Sequence, residues 1–150
     1  MTNKEIDIQC AFLDVAIMRQ LFYCKNKNLY SAGIYVSEKC HLLFDRLDNL
    51  ISDCNMVINR KVKMMNEYEI IFKNGSSIIL LNANNNLRGY KINDVIIDTS
   101  IEGKIKDLCY YTHFPYRADE DDKVDIGSRC VELEIPKNVL LSRFRYDVWR

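Results

Sequence analysis

The stretch from residue 69 to residue 98 constrains the fold of this chain more than any other. It contains two apolar segments joined at Asn74-Gly75. Such a pair predicts a β-hairpin, because both residues accept the positive φ that a type I′ turn needs. The stretch ends in Asp-Val-Ile-Ile-Asp at residues 94–98, which lacks polar alternation and so predicts a strand buried on both faces, as in a helix-covered parallel sheet. An acidic residue at the end of such a strand lies where α/β proteins place their ligand-binding and catalytic residues.

Apolar periodicity predicts two helices and a strand before this stretch. Residues 5–24 carry an apolar stripe too wide for a surface helix, which predicts a central helix; its members are Phe12, Val15, Ala16, Ile17, Leu21 and Phe22. Residues 32–36 predict a strand. After Ser37, a predicted N-cap, apolar residues recur at i, i+3, i+4 and i+7 over four turns and predict the clearest helix in the chain; they are Cys40, Leu43, Phe44, Leu47, Leu50, Ile51 and Cys54.

The remaining elements complete a single α/β domain over residues 1–150. The opposite face of the second helix is charged and predicted to be solvated: Glu38, Lys39, Asp45, Arg46, Asp48 and Asp53. Residues 57–64 predict one or two strands, residues 101–112 a helix with Ile105, Leu108 and Cys109 inward, and residues 129–135 a half-buried strand. We expect a mixed sheet with a β-hairpin and covering helices.

Composition limits the functions and the cellular location that we expect for this chain. The chain has 21 basic and 21 acidic residues. Its net charge is therefore too small to attract nucleic acid strongly and without regard to sequence. A local basic patch is compatible with this balance. Its six cysteines are scattered without a C-x-x-C pair, and the sequence shows no apolar leader or membrane-length run. These features predict a reduced, cytoplasmic protein without a membrane partner, whose cysteines act as small hydrophobes.

The order of motifs resembles a known motor domain. The pattern consists of F-x-N-G-S-x-I at residues 72–78, L-R-G at residues 87–89, and an apolar strand closing in Asp-Thr at residues 95–99. It is similar to the ATPase domain of the large terminase subunit, the DNA-packaging motor of tailed bacteriophages, in which the strand closes in Asp-Glu. The resemblance covers about residues 10–100 and implies part of a P-loop NTPase fold, with residues 101–150 as an extension outside the family pattern.

The resemblance also assigns residues, and the sequence departs from it twice. It places Arg88, Gly89, Asp98 and Thr99 on the nucleotide side of the sheet, but Thr99 stands where the family has its catalytic Glu. It also implies that the chain begins just after the phosphate-binding loop. Arg88 has the alternative role of pairing with Asp94 or Asp98, and Gly89 is predicted to serve the conformation of its turn.

The sequence contains no phosphate-binding loop motif. Such a loop requires G-x-x-x-x-G-K-[S/T], whose backbone N–H groups and lysine hold the phosphates. The one Gly-Lys pair, Gly103-Lys104, is followed by Ile105 and has Asp98 in place of the first glycine. We therefore expect no nucleotide cofactor and no catalytic residues.

One pair of residues has a spacing that suits two metal ligands. Cys109 and His113 fall one helical turn apart. A third and fourth ligand are not evident nearby in the sequence, so the alternative is a core thiol beside a surface histidine. The expectation is that no metal binds.

Two charged segments are candidate partner-binding surfaces. The acidic run at residues 118–125, with Glu120, Asp121 and Asp122, is either a solvated loop or a docking patch for a basic partner. Residues 139–149 and the final arginine combine apolar and aromatic residues with cations, which are Arg143, Arg145 and Arg150. Such a segment can bind single-stranded nucleic acid, or can close the fold with its arginines over aromatic rings.

Three functions follow from these observations. The first is a non-catalytic phage or prophage accessory protein, with a degenerate terminase-type fold, that binds a protein or a protein–nucleic-acid assembly. The second is an inhibitor of a host defence complex, such as an anti-CRISPR protein, that uses the acidic loop. The third is a fragment of a split DNA-packaging ATPase whose phosphate-binding loop comes from another chain.

We predict that the isolated chain does not hydrolyse ATP and binds it no more tightly than millimolar. The phosphate cradle is absent from the sequence, and Thr99 cannot polarise a water molecule as a glutamate does. Isothermal calorimetry and a phosphate-release assay check this. Micromolar binding would contradict the prediction and favour the split-ATPase function.

Overall fold

The computed structural model describes residues 3–87, 89–116 and 128–136. Within them the chain is a single α/β domain with one six-stranded mixed sheet. In chain order the elements are α1 (Asn3–Asn26), β1 (Ser31–Val36), a 3₁₀ helix (Cys40–Leu43), α2 (Phe44–Asp53), β2 (Ile58–Met64), β3 (Glu67–Phe72), β4 (Ser77–Asn82), a 3₁₀ turn (Asn85–Leu87), β5 (Asp94–Asp98), α3 (Gly103–Tyr111) and β6 (Arg129–Leu133). The elements predicted between residues 5 and 135 are all present, and the segment at residues 139–149 lies outside the described residues. Several predicted site residues lie outside the described residues: Arg88, Glu120, Asp121, Asp122, Arg143, Arg145 and Arg150.

The sheet combines a parallel part with an antiparallel part. Its strand order is β2-β3-β4-β1-β5-β6. The strands β4, β1, β5 and β6 pair in parallel, whereas β2–β3 and β3–β4 are antiparallel. All five residues of β5 are buried, so the prediction of a strand covered on both faces is confirmed.

Helices cover both faces of the sheet and create two cores. The first core lies under α1 and α2 and joins buried helix residues to the sheet residues that face them: Leu13, Ile17, Leu21, Leu47, Ile34, Leu80 and Ile96. The second core lies under α3 and includes Tyr35, Ile79, Leu81, Val95, Ile97 and Cys109. Successive strand residues alternate between the two cores, because side chains on a strand point to opposite faces.

The hairpin is confirmed, but its turn is not type I′. The N–H of Phe72 donates to the carbonyl of Ser76 at 2.8 Å, and that of Gly75 to the carbonyl of Phe72 at 3.0 Å. Gly75 has φ 85, whereas Asn74 keeps a negative φ, so the loop belongs to the three-residue class with glycine in the left-handed position. The reason is tertiary, since the Asn74 amide donates to the carbonyls of Cys24 at 2.7 Å and Lys27 at 3.1 Å at the end of α1.

The second helix begins later than the sequence predicts. Lys39 has φ 54, which prevents a helix from starting at Ser37. The N–H of Cys40 instead donates to the side-chain oxygen of Asn82 at 2.9 Å, so β4 supplies the cap. The predicted apolar phase is confirmed, since the stripe from Cys40 to Ile51 is buried.

Two charged residues of α2 are not solvated as predicted. Asp48 is half-buried and accepts a hydrogen bond from the hydroxyl of Tyr68 at 2.5 Å. Arg46 donates to both carboxylate oxygens of Asp14, at 2.6 and 2.9 Å. The arginine side chain is 12% exposed and the aspartate side chain 4%. This bidentate pair joins α2 to α1.

The prediction of a central helix at residues 5–24 is wrong in one respect. The helix forms, but α1 packs on the sheet through one side only, where Leu13, Ile17 and Leu21 are buried. Phe12, Val15 and Phe22 are exposed on its other side. Among the described residues, no helix is both long enough and apolar enough to cross a membrane.

We predict that Leu47→Ala lowers the free energy of unfolding by about 2–5 kcal/mol, because it leaves a cavity in the first core. Leu47 is 1% exposed. Asn49→Ala, at an exposed position of the same helix, should change it by less than about 0.5 kcal/mol. Urea denaturation measures both, and the reverse order would mean that the phase of α2 is wrong.

Candidate functional site

The strands β1 and β5 are neighbours whose connections leave the sheet on opposite faces. After β1 the chain runs to α2, which packs in the first core, and after β5 it runs to α3, which packs in the second. A switch of this kind opens a crevice at the carboxyl ends of the strands, where α/β proteins bind ligands. Ser37 follows β1 and Asp98 ends β5, so these two residues lie at this point.

Asp98 joins the two loops at the switch point. One carboxylate oxygen accepts hydrogen bonds from the hydroxyl and the N–H of Ser100, at 2.6 and 3.1 Å. The other oxygen accepts from the hydroxyl and the N–H of Ser37, at 3.3 and 3.4 Å. Asp98 is 4% exposed. A buried carboxylate whose two oxygens accept four hydrogen bonds is well suited to hold loops in place.

The structure brings together only part of the predicted nucleotide side. Thr99 is exposed beside Asp98, and its N–H donates to the carbonyl of Leu133 at 3.0 Å, which extends the pairing of β5 with β6. Gly89 borders a pocket of about 380 Å³ with residues at the end of α3, including Thr112. The carbonyl of Thr112 accepts from the N–H of Ile92, just before β5. Gly89 therefore lies near the beginning of β5, and Asp98 lies at its end.

Gly89 has the conformational role that the sequence predicts. Its φ is 94, a value that favours glycine strongly over other residues. Open space surrounds the position of a Cβ atom there. The requirement for glycine therefore comes from the backbone conformation and not from close packing.

Asp94 forms a second polar cluster, at the beginning of β5. Its side chain is fully buried and pairs with Arg19 of α1 and with Arg129 of β6, the latter at 3.3 Å. The amide of Gln20 donates to its carboxylate at 3.0 Å and to the carbonyl of Gly33 at 3.0 Å. Burial raises the pKa of Asp94, and the hydrogen bond from Gln20 and the charges of Arg129 and Arg19 oppose that rise. The cluster ties α1 to three strands.

A second pocket, of about 320 Å³, lies beside the turn between β2 and β3 and is rich in asparagine. Its polar groups bind one another. The amide of Asn82 donates to the side-chain oxygen of Asn66 at 2.9 Å, and the hydroxyl of Tyr90 donates to Glu67 at 3.1 Å. The volume is at the lower limit for ligand pockets, and its polar groups serve the local structure.

The cysteines behave as core residues. Cys109 is fully buried, and burial raises the pKa of its thiol to about 11. Burial likewise raises the pKa of Cys40 to about 11 and that of Cys130 to about 12. In the part of the chain that the structure describes, no three His, Cys, Asp or Glu side chains are grouped so as to hold a metal, so Cys109 and His113 have no further ligands there.

The solvent side of α1 carries a continuous apolar surface. We call this surface the α1 stripe; its members and exposed fractions are Ile8 47%, Phe12 66%, Val15 66%, Met18 47% and Phe22 60%. It runs from Ile8 to Phe22, which is fourteen residue steps along one helix, or about 21 Å at 1.5 Å per residue. A contiguous apolar surface on this scale marks an interaction site more often than isolated exposed apolar residues do.

The sequence shows the apolar residues of this stripe but not that they face solvent. Phe12, Val15 and Phe22 belong to an apolar pattern that runs around the whole helix, and this pattern predicts complete burial. It does not distinguish burial inside the domain from burial against another molecule. Sequence patterns do not reveal the Asp94 cluster, because its partners on α1 and β6 are far from it along the chain.

Comparisons with known proteins do not assign a family. No protein-family model matches the chain. No curated protein and no solved structure matches it either. The resemblance to the terminase ATPase domain therefore stays a prediction that rests on the motifs at residues 72–99.

We predict that Asp94→Ala destabilises the fold by about 2–3 kcal/mol, because it removes the charge-assisted hydrogen bonds that Asp94 accepts, while the partly exposed guanidinium groups of Arg19 and Arg129 can be hydrated. Asp98→Ala should cost about 1 kcal/mol, since the exposed hydroxyls of Ser37 and Ser100 can bind water instead. Urea denaturation compares the two variants. A larger loss for Asp98→Ala would show that the switch-point cluster has the greater structural role.

Proposed function

We propose that this chain is a non-catalytic accessory protein that acts by binding another protein through the α1 stripe. The observation that carries the proposal is the exposure of five large apolar side chains on one side of a single helix. Burial of apolar surface is the main driving force of protein association. The stripe lies along a single helix, whose side-chain ridges and grooves can interlock with those of another helix. The proposed partner is therefore a protein that presents an amphipathic helix.

The terminase resemblance supplies the biological setting of the proposal. It supports a phage or prophage protein whose fold derives from a P-loop NTPase domain and whose catalytic parts are lost. Two observations are consistent with loss of catalysis: Thr99 occupies the position of the family's catalytic Glu, and Asp98 binds Ser37 and Ser100 through both carboxylate oxygens. In this proposal the residues at the predicted nucleotide side of the sheet have only structural roles, and the partner binds to α1.

We expect a protein captured from a lysate of the natural host to depend on the α1 stripe. The test variant is Phe12→Ser with Phe22→Ser, which removes two exposed rings that belong to neither core. The matched control is Tyr111→Ser, because Tyr111 is 84% exposed on α3. The captured protein is then purified, and its dissociation constant is measured with each variant. The test variant should weaken binding at least tenfold, and the control should not.

The acidic run and the arginine-rich tail are the two alternative binding surfaces, and substitutions test each of them. Replacing Glu120, Asp121 and Asp122 by Ser should abolish binding if the acidic run is the contact, as the defence-inhibitor function requires. Replacing Arg143, Arg145 and Arg150 by Ala should abolish binding to single-stranded nucleic acid if the tail is the contact. Contacts of either charged kind weaken as salt is raised, whereas binding to the α1 stripe should not. Loss of binding in a charged variant alone would overturn the proposal.

A further inference from the structure

We infer that the α1 stripe binds a second copy of this chain, with the two α1 helices antiparallel and a two-fold axis passing beside Val15. This inference rests on the proposed function, since it names the protein that the stripe binds. A two-fold interface uses the same surface on both subunits, so the surface must be complementary to itself when it is reversed. The stripe has this property.

The spacing of the stripe is symmetric about Val15. Ile8 and Phe22 each lie seven positions from it, and Phe12 and Met18 each lie three positions from it. In an antiparallel pair centred on Val15, Ile8 of one copy lies level with Phe22 of the other. Val15 lies level with itself. Phe12 and Met18 lie at one level but on opposite edges of the interface, because at 3.6 residues per turn they are turned by about 60° to either side of Val15. The Phe22 ring of one copy therefore packs beside the aliphatic side chain of Ile8 of the other at each end of the interface.

The ends of the stripe follow the same symmetry. Lys4 and Asn26 are exposed, and each lies eleven positions from Val15. These two polar residues bound the stripe at its two ends. In the antiparallel pair they lie level with each other, so a polar rim closes the apolar centre at both ends, as in specific protein interfaces.

The charged residues near the centre of the stripe are already paired within their own chain. Arg19 lies on the face of the stripe, one turn after Val15, with its side chain 27% exposed. The charged residues between Ile8 and Phe22 are Asp14 and Arg19. Asp14 binds Arg46, and Arg19 binds Asp94. Both side chains are therefore directed to partners in their own chain, and association does not require either of them to lose its ion pair.

The area is adequate for a specific dimer. An aromatic side chain has on the order of 150–250 Å² to bury and an aliphatic one less, and the members of the stripe are between 47% and 66% exposed. Complete burial of the five exposed fractions would remove at most roughly 500 Å² per copy and about 1,000 Å² for the pair, which is at the lower limit of specific interfaces. We therefore expect a reversible dimer that dissociates on dilution.

Sedimentation velocity of the full chain over a hundredfold range of concentration tests the inference. The wild-type chain should pass from monomer to dimer. Val15→Asp places two like charges together at the two-fold axis, and it should raise the dimer dissociation constant at least tenfold. Met65→Asp introduces the same charge at a residue that is 77% exposed and lies outside the stripe, and it should leave the dimer unchanged. Circular dichroism checks that each variant is folded.

A charge-pair design tests the antiparallel register. Ile8→Lys and Phe22→Glu should each weaken the dimer when made alone. Combined in one chain, they should restore it, because the ammonium introduced in one copy then lies beside the carboxylate introduced in the other. Failure of the double variant to recover would overturn this register. A parallel pair would place like charges together and so gain nothing from the combination.

The outcomes distinguish this inference from the proposed function. A wild-type chain that stays monomeric throughout, or a dimer that Val15→Asp leaves intact, would overturn the second copy as the occupant. If the Phe12→Ser and Phe22→Ser variant still lost a captured partner of a different sequence, the proposed function would stand without this inference. If the variant lost neither self-association nor a captured partner, both would fall.

Discussion

The orientation of α1 on the sheet depends on two buried polar contacts. The hydrophobic effect is non-directional, and α1 is apolar on both sides, so apolar burial alone would favour several rotations of this helix similarly. Asp94 binds Arg19 and Gln20 near the end of α1, and Arg46 binds Asp14 near its middle. Any rotation that buried Phe12 would separate these ion pairs and leave buried charges unpaired, which is costly.

This constraint explains how an apolar surface persists in contact with solvent. The ion pairs select the side of α1 that faces the sheet, and the side that remains is apolar because the sequence is apolar there as well. A surface of this kind has a cost in solubility. Its presence on a helix that is otherwise firmly held supports the proposal that binding takes place on α1 and not at the carboxyl ends of the strands.

The motifs that resemble a motor domain have structural roles in this chain. Asn74 holds the end of α1 through carbonyls that the helix leaves without partners, and the Ser76 hydroxyl accepts from the N–H of Tyr30 at 3.0 Å. Asp98 holds two loops together, and Gly89 provides a backbone conformation.

The sequence by itself determined the elements and the α/β class. Its period-2 and period-3.6 patterns are local, and they located β5, the hairpin at Gly75 and the buried face of α2 around Leu47. Only the tertiary structure decided the turn at Asn74, the late start of α2 after Lys39 and the pairing of Asp94, because their partners are distant in sequence. It also decided that one side of α1 faces solvent, since an apolar pattern records that a surface is to be buried but not which molecule buries it.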